Sequence, residues 1–134
     1  MIVFLFLIGI YHLTFSKSQG SLYELQMNAE KGDTVAQYQL GYCYETGLCG
    51  QRQNYSHAIT YYTRAANTGH AKAQAQLAWM YELGKGVNRD QQKAIYWIDQ
   101  SVKNGNEEAK EDMLLLQNRL TTSESRRHAY QIYT

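Results

Sequence analysis

The chain repeats itself at an interval of 36 to 37 residues, and this period constrains the fold more than any other feature of the sequence. Gly32, Gly69 and Gly105 are separated by 37 and 36 positions. The same two intervals separate two sets of apolar residues: Ala36, Ala73 and Ala109, then Leu40, Leu77 and Met113. A repeat of this length is typical of stacked helix pairs. The sequence therefore predicts an all-α solenoid in which each repeat packs on its neighbours.

Each full copy contains two segments with apolar residues at helical spacing, joined by a loop that contains glycine. Gly41 lies inside the first helical segment, and glycine at such a position predicts the close approach of a neighbouring helix. The chain contains no proline. Glycine alone is therefore expected to supply the turns between helices.

The residues at fixed positions in these copies resemble the Sel1-like repeat family, relatives of tetratricopeptide repeats. The second copy carries the motif at Ala73, Leu77, Tyr81, Gly84, Gly86, Val87, Asp90, Ala94 and Trp97. The first copy matches it at Ala36, Leu40, Gly41, Tyr44, Gly47, Ala58 and Tyr61. The resemblance covers about residues 21–117. It implies a short α-solenoid of helix-turn-helix repeats with flanking capping helices, and a protein-binding scaffold whose partner it does not name.

The repeat register divides the chain into segments. Residues 1–20 are predicted to be a signal peptide and residues 21–33 an N-terminal capping helix. Repeats follow at 34–69 and 70–105, with a partial repeat at 106–117. Residues 118–134 are predicted to be either a short capping helix that follows a degenerate loop or a frayed tail.

Residues 2–10 are uncharged and apolar, which is typical of the hydrophobic region of a signal peptide. The apolar run is too short to span a bilayer comfortably. Cleavage is expected near Ser16, Ser18 or Gly20, leaving a periplasmic or secreted protein with no stable membrane span. No lysine or arginine precedes the run, so an uncleaved membrane anchor is the alternative.

Cys43 and Cys49 are the only two cysteines of the chain. In an oxidising compartment they are predicted to form a disulfide, with a buried Cys43 beside an incidental Cys49 as the alternative. Two cysteines without a close pair of histidines cannot complete a four-ligand metal site. No metal is therefore expected.

Charge and motifs argue against several classes of function. Thirteen basic and twelve acidic residues give a net charge of +1, which does not favour nucleic acid as a partner. The sequence has no nucleophile elbow and no phosphate-binding glycine loop. The four histidines are scattered: His12, His57, His70 and His128. We therefore expect no catalytic site and no cofactor.

The face of each first helix opposite its core residue is the predicted binding surface. At about 100° per residue, this face lies opposite Leu40 in the first repeat and Leu77 in the second. Six residues are expected to form the surface: Tyr38, Tyr42, Glu45, Trp79, Glu82 and Leu115. In proteins resembling this family the face lines a concave groove, where aromatic side chains suit an interface. The alternatives are that these residues pack on the adjacent repeat or that they line a pocket for a small ligand.

A short exported protein with such repeats looks like either an immunity protein or a general periplasmic adaptor. The shortness of the chain favours an immunity protein that occludes a secreted antibacterial toxin, for example a type VI phospholipase effector. Trp79 and Tyr42 are expected to be its buried anchors. Glu45 and Glu82 are expected to meet basic groups on the toxin. An adaptor in envelope assembly or regulation is the alternative.

Overall fold

A computed structural model describes residues 21–133, with side chains given through residue 124 and at residue 127. The predicted signal peptide lies outside the described residues. The described part contains helices and no strand, so the predicted all-α solenoid is confirmed. The helices are α1 (residues 21–30), α2 (Thr34–Thr46), α3 (Tyr55–Asn67), α4 (Ala71–Leu83), α5 (Gln91–Lys103) and α6 (Ala109–Tyr133).

The four helices of the two full repeats each begin after a polar capping residue. The caps of α2 to α5 are Asp33, Asn54, His70 and Asp90. Each cap accepts a hydrogen bond from the backbone N–H three residues further on, which satisfies a donor that the first turn leaves free. At their other ends, α2 and α4 stop at Gly47 and Gly84, which adopt left-handed φ values of 73° and 66°.

The helices pack in chain order, each on the next, from α2 through α6. The buried residues accordingly form separate clusters along the array. Ala29 of α1 packs with Leu40 of α2, Tyr62 of α3 with Leu77 of α4, and Ile98 belongs to a third cluster shared by α4, α5 and α6. Each helix pair therefore depends on its immediate neighbours to bury its apolar face.

Gly41 allows α3 to approach α2 closely. The fully buried ring of Tyr62 lies against it, and a Cβ atom added at position 41 would be 2.7 Å from the Cδ1 atom of that ring. The Tyr62 hydroxyl then donates a hydrogen bond of 2.7 Å to a carboxylate oxygen of Glu45, back on α2. The expectation that Gly41 marks a close helix approach is confirmed.

Two buried glutamines at equivalent positions join consecutive helix pairs. Gln37 donates a hydrogen bond of 3.0 Å to the carbonyl oxygen of Ala29, and Gln74 donates one of 3.0 Å to that of Ala66. Each bond satisfies a carbonyl near the end of the preceding helix, where intrahelical partners run out. Asn104 also donates to the side-chain oxygen of Gln74, so this second junction is the more completely bonded.

Cys43 and Cys49 form a disulfide, as the sequence predicts. Cys43 is buried in α2, whereas Cys49 lies in the following loop with a positive φ of 58°. The bond ties the end of α2 to a loop that has one more residue than its counterpart between α4 and α5. It therefore restrains the longer of the two loops.

The C-terminal segment differs from both expectations for residues 118–134. Helix α6 runs without a break from Ala109 to Tyr133, so these residues form neither a separate capping helix after a loop nor a frayed tail as far as the described backbone extends. The reason is that residues 106–134 contain no glycine or proline to end a helix. Leu120 occupies the position at which Gly47 and Gly84 end α2 and α4.

The substitution Gly41→Leu is expected to lower the free energy of unfolding by about 2 kcal/mol or more, because the ring of Tyr62 must move to admit the new side chain. Urea denaturation followed by circular dichroism measures the change. Gln39→Leu, at an exposed position of the same helix, is the control and is expected to change stability by less than about 0.5 kcal/mol. A Gly41→Leu protein as stable as its parent would contradict the close approach.

Reduction of the Cys43–Cys49 bond is expected to lower the free energy of unfolding by about 2 kcal/mol, the loop-entropy estimate for so short a ring. Thiol titration of denatured, unreduced protein from an oxidising compartment should find no free thiol. The Cys49→Ser variant is the control, because the reductant should leave its stability unchanged. Two free thiols in the titration would argue against the pairing.

Candidate protein-binding groove

Five of the six residues predicted to form the binding surface line three cavities, and Glu45 lines none of them. The central groove, of about 390 Å³, lies between α2, α4 and the start of α6, and Tyr38 and Trp79 both line it. The disulfide pocket, also of about 390 Å³, contains Tyr38 and Tyr42. The arginine cleft, of about 770 Å³, contains Leu115 and lies between the end of α4, the loop after it and α6. Leu115 therefore does not share a cavity with Trp79.

Tyr38 and Trp79 each pack on a neighbouring element and also line the central groove. The ring of Tyr38 stacks on His70, with centroids 4.7 Å apart. Burial, followed by the charge of Glu45, raises the pKa of the Tyr38 hydroxyl. Trp79 packs on the cluster shared by α4, α5 and α6, and the guanidinium of Arg119 lies 5.9 Å from the centroid of its ring. Tyr38 and Trp79 therefore each have one side packed on the protein and another side facing the groove.

Tyr42 and Leu115 are the more open members of the predicted set. Each remains 44% exposed. Their apolar surface is available for contact with another molecule. Exposed aromatic and apolar side chains of this kind are expected of interface anchors.

The two glutamates predicted to edge the surface have different environments. Glu45 accepts the hydrogen bond from the Tyr62 hydroxyl. Glu82 is only 4% exposed, and its Oε1 atom lies 3.0 Å from Nη2 of Arg89 and 3.4 Å from Nη1 of Arg119. A carboxylate this deeply buried requires such partners. The expectation of an exposed acidic edge at Glu82 is therefore wrong.

The aligned repeats explain why the two glutamates differ. Ile98 occupies the position of Tyr62 in the second repeat and has no hydroxyl to offer. In the loops, Gln53 and Arg89 both donate a hydrogen bond of 2.8 Å to the backbone carbonyl of the glutamate in their own repeat. Arg89 adds a positive charge that reaches the Glu82 carboxylate. Aligning the loop residues, rather than counting positions along one helix, would have revealed this ion pair.

His70 caps α4 and also packs on Tyr38 of the central groove. The sequence alone did not suggest this double role. Its Nδ1 atom accepts a hydrogen bond of 3.2 Å from the backbone N–H of Ala73, while its ring stacks on Tyr38. Burial lowers the pKa of His70; a backbone hydrogen bond at His70 opposes this shift, and the charge of the nearby Lys72 adds to it. The neutral imidazole is the form that can accept the bond.

The part of the chain that the structure describes contains neither a cluster of metal-ligating side chains nor a membrane-crossing helix. No group of three or more His, Cys, Asp or Glu side chains there is arranged to hold a metal ion. Within the same residues, no helix has the length and apolar character needed to cross a bilayer.

A family model of the Sel1 repeat matches residues 34–70 and 71–106. The chain belongs to the Sel1 repeat family. Sel1 repeat proteins are protein–protein interaction modules, and the family is generally a non-enzymatic scaffold. The exposed aromatic and apolar side chains of this Sel1 repeat protein are therefore candidates for contact with another protein.

Three solved structures share the fold. The chain is 36% identical to a Sel1 repeat protein from Oxalobacter formigenes, with 69% of each chain covered and a TM-score of 0.63. It is 28% identical to c5321, a protective antigen of uropathogenic Escherichia coli with an SLR fold, covering 78% of this chain and 22% of that one, with a TM-score of 0.71. Likeness to Helicobacter pylori cysteine rich protein B, at 22% identity, 69% coverage of each chain and a TM-score of 0.66, shows the fold alone.

One curated relative is the chitin synthase regulator SKT5 of Saccharomyces cerevisiae. The two are 36% identical over 84 residues. The match covers 60% of this chain and 12% of that protein, so this Sel1 repeat protein spans only a small part of the relative's length.

Stability is expected to fall as the pH falls below the ordinary histidine pKa of 6.5, because the pKa of His70 is lowered in the folded protein and the unfolded chain takes up the proton first. The contribution of this cap is fully present above that value and is lost as the pH falls toward the lower folded-state pKa. His70→Asn, a cap that does not titrate, should flatten the profile measured by urea denaturation at several pH values. His57→Gln is the control and should retain the slope. Equal slopes for the parent and His70→Asn would contradict this role.

Proposed function

We propose that this Sel1 repeat protein binds a partner protein with the central groove and the exposed side chains beside it. The observation that carries the proposal is the convergence of Tyr38 and Trp79 on one cavity of about 390 Å³. Both rings are held on one side by packing, so little side-chain freedom is lost when a partner covers the other side. Tyr42 and Leu115, each 44% exposed, extend the available apolar surface beyond the groove.

We also propose that the protein acts in a periplasmic or extracellular space. The Cys43–Cys49 disulfide supports this, because disulfides persist in oxidising compartments. The apolar residues 2–10 support it independently as the proposed signal peptide. The two observations concern different parts of the chain and point to the same compartment.

The partner proposed is a toxin delivered into that compartment, with this protein as its immunity protein. An immunity protein that blocks a toxin by steric occlusion needs no catalytic groups. It needs only a rigid surface with anchor side chains. Helices α2 and α4 and the start of α6 supply such a surface, because the anchors project from packed helices rather than from loops. A type VI phospholipase effector is one toxin that such a surface would block.

A second candidate function is that of an adaptor which binds and regulates an enzyme of the cell envelope. The relative from Saccharomyces cerevisiae favours this candidate, since that protein is a chitin synthase regulator. The same groove would serve either function. The two candidates differ in whether the partner harms the cell when it is produced alone.

The experiment co-expresses the product of the neighbouring gene, directed to the periplasm, with and without this protein. Rescue of growth is expected, and calorimetry on the purified pair should show that Trp79→Ala or Tyr42→Ala weakens binding by about 2 kcal/mol. Tyr96→Ala is the matched control, because Tyr96 is an exposed tyrosine that lies on α5 outside the groove.

The outcomes separate the proposals. Harm without rescue would contradict the immunity function, and a bound partner that does not harm the cell when produced alone would leave the adaptor as the better account. Rescue and affinity that survive both groove substitutions would contradict the choice of surface. Thermal melts of each variant distinguish a lost contact from a lost fold.

A further inference from the structure

The arginine cleft carries an excess of positive charge. Arg89, Arg119 and Arg127 line it, and Glu82 is the one carboxylate among the described residues of its wall. Three guanidinium groups against one carboxylate leave a local charge of +2. This excess contrasts with the near-neutral charge of the whole chain, +1.

Glu82 holds two of these arginines in place. Its Oε1 atom contacts both Arg89 and Arg119, while the two arginine side chains remain 56% and 47% exposed. Arg89 spends one N–H on the Glu82 backbone carbonyl and one on the carboxylate, out of the five that a guanidinium offers. The buried carboxylate thus orients the two guanidinium groups and leaves donors free for another acceptor.

The α6 wall of the cleft presents these groups in a row. Leu115, Arg119, Ser123 and Arg127 follow one another at intervals of four residues and all line the cleft. Residues so spaced lie on one face of a helix, and this row is about 18 Å long. An apolar side chain is therefore followed along the row by two cations with a hydroxyl between them.

We infer that the arginine cleft binds an extended acidic segment of the partner protein, with carboxylates on Arg119 and Arg127 and an apolar side chain on Leu115. A guanidinium matches a carboxylate in geometry as well as in charge. The row is longer than a single inorganic anion, and Leu115 offers such an ion no partner. The inference rests on the proposed function in taking a protein as the partner. It requires the partner to be acidic at this end, whereas an exposed Glu82 would require it to be basic.

The test uses two fluorescein-labelled peptides of eight residues, one alternating glutamate with leucine and the other alternating glutamine with leucine. Fluorescence anisotropy with the full protein should show the glutamate peptide binding about tenfold more tightly, with a difference that shrinks as salt is added. Perturbation of the Arg Nε–H signals in the NMR spectrum on addition of this peptide would place it in the cleft.

Single substitutions assign the binding to the row. Arg119→Gln and Arg127→Gln are each expected to weaken binding of the glutamate peptide about fivefold. Arg127→Gln guards against a folding artefact, because Arg127 is not one of the two arginines that hold Glu82. Arg52→Gln is the matched control, an exposed arginine in the loop after α2, and should bind like the parent.

Equal binding of the two peptides, or variants that bind like the parent, would overturn the inference. Binding of inorganic phosphate or of phosphatidylglycerol vesicles through these arginines, without binding of the glutamate peptide, would overturn it in favour of a phosphate ligand. If Trp79→Ala abolishes partner binding while Arg127→Gln does not affect it, the inference fails and the proposed function stands. If the glutamate peptide binds in the cleft but co-expression shows no rescue, the cleft assignment stands and the immunity function fails.

Discussion

The contact between Tyr62 and Gly41 sets the distance between α2 and α3, the helix pair of the first repeat on which the rest of the array is stacked. The ring of Tyr62 needs the space that the missing side chain of Gly41 provides. The same ring contacts that of Tyr38, and the two centroids lie 5.8 Å apart. The second repeat solves the same packing problem with a smaller side chain, Ile98, facing a larger one, Ala78. The position of the Tyr38 ring in the central groove therefore depends on how the side chains at positions 41 and 62 share the space between α2 and α3.

The repeat period made the fold predictable, because a side chain that recurs at a fixed interval has the same neighbours in each copy. The buried alanines and leucines were accessible in this way. The packing role of Gly41 followed from a glycine inside a helix, and the disulfide from two cysteines in a chain expected to be exported. The continuous α6 could not be predicted from the repeat period. The aligned repeats predict a loop at this point, but the sequence there has no glycine or proline to end the helix. Glu82 was misplaced for a different reason. Its surroundings depend on Arg119 from the next repeat, 37 residues along the chain, which the geometry of one helix cannot reveal.

Helix α6 imposes a direction on the surface. The turn before it supplies Glu108 and its first turn supplies Asp112 to the central groove, and later turns supply Arg119 and Arg127 to the arginine cleft. Trp79 lies between the central groove and the arginine cleft. It lines the groove, and its ring faces Arg119 of the cleft. A partner lying along α6 meets acid, aromatic and base in that order, so charge selects one orientation of the bound segment over its reverse.

The loop between α4 and α5 is wedged against the preceding repeat. A Cβ atom at Gly86, whose φ is 72°, would lie 2.6 Å from the backbone carbonyl of Tyr55 at the start of α3. Gly50, in the loop after α2, has no such neighbour within 4 Å among the described residues. The loop after α2 therefore has room for its additional residue, and the Cys43–Cys49 disulfide restrains it there. Two copies of one repeat can thus hold loops of different length, because each copy packs on a different neighbour in the stack.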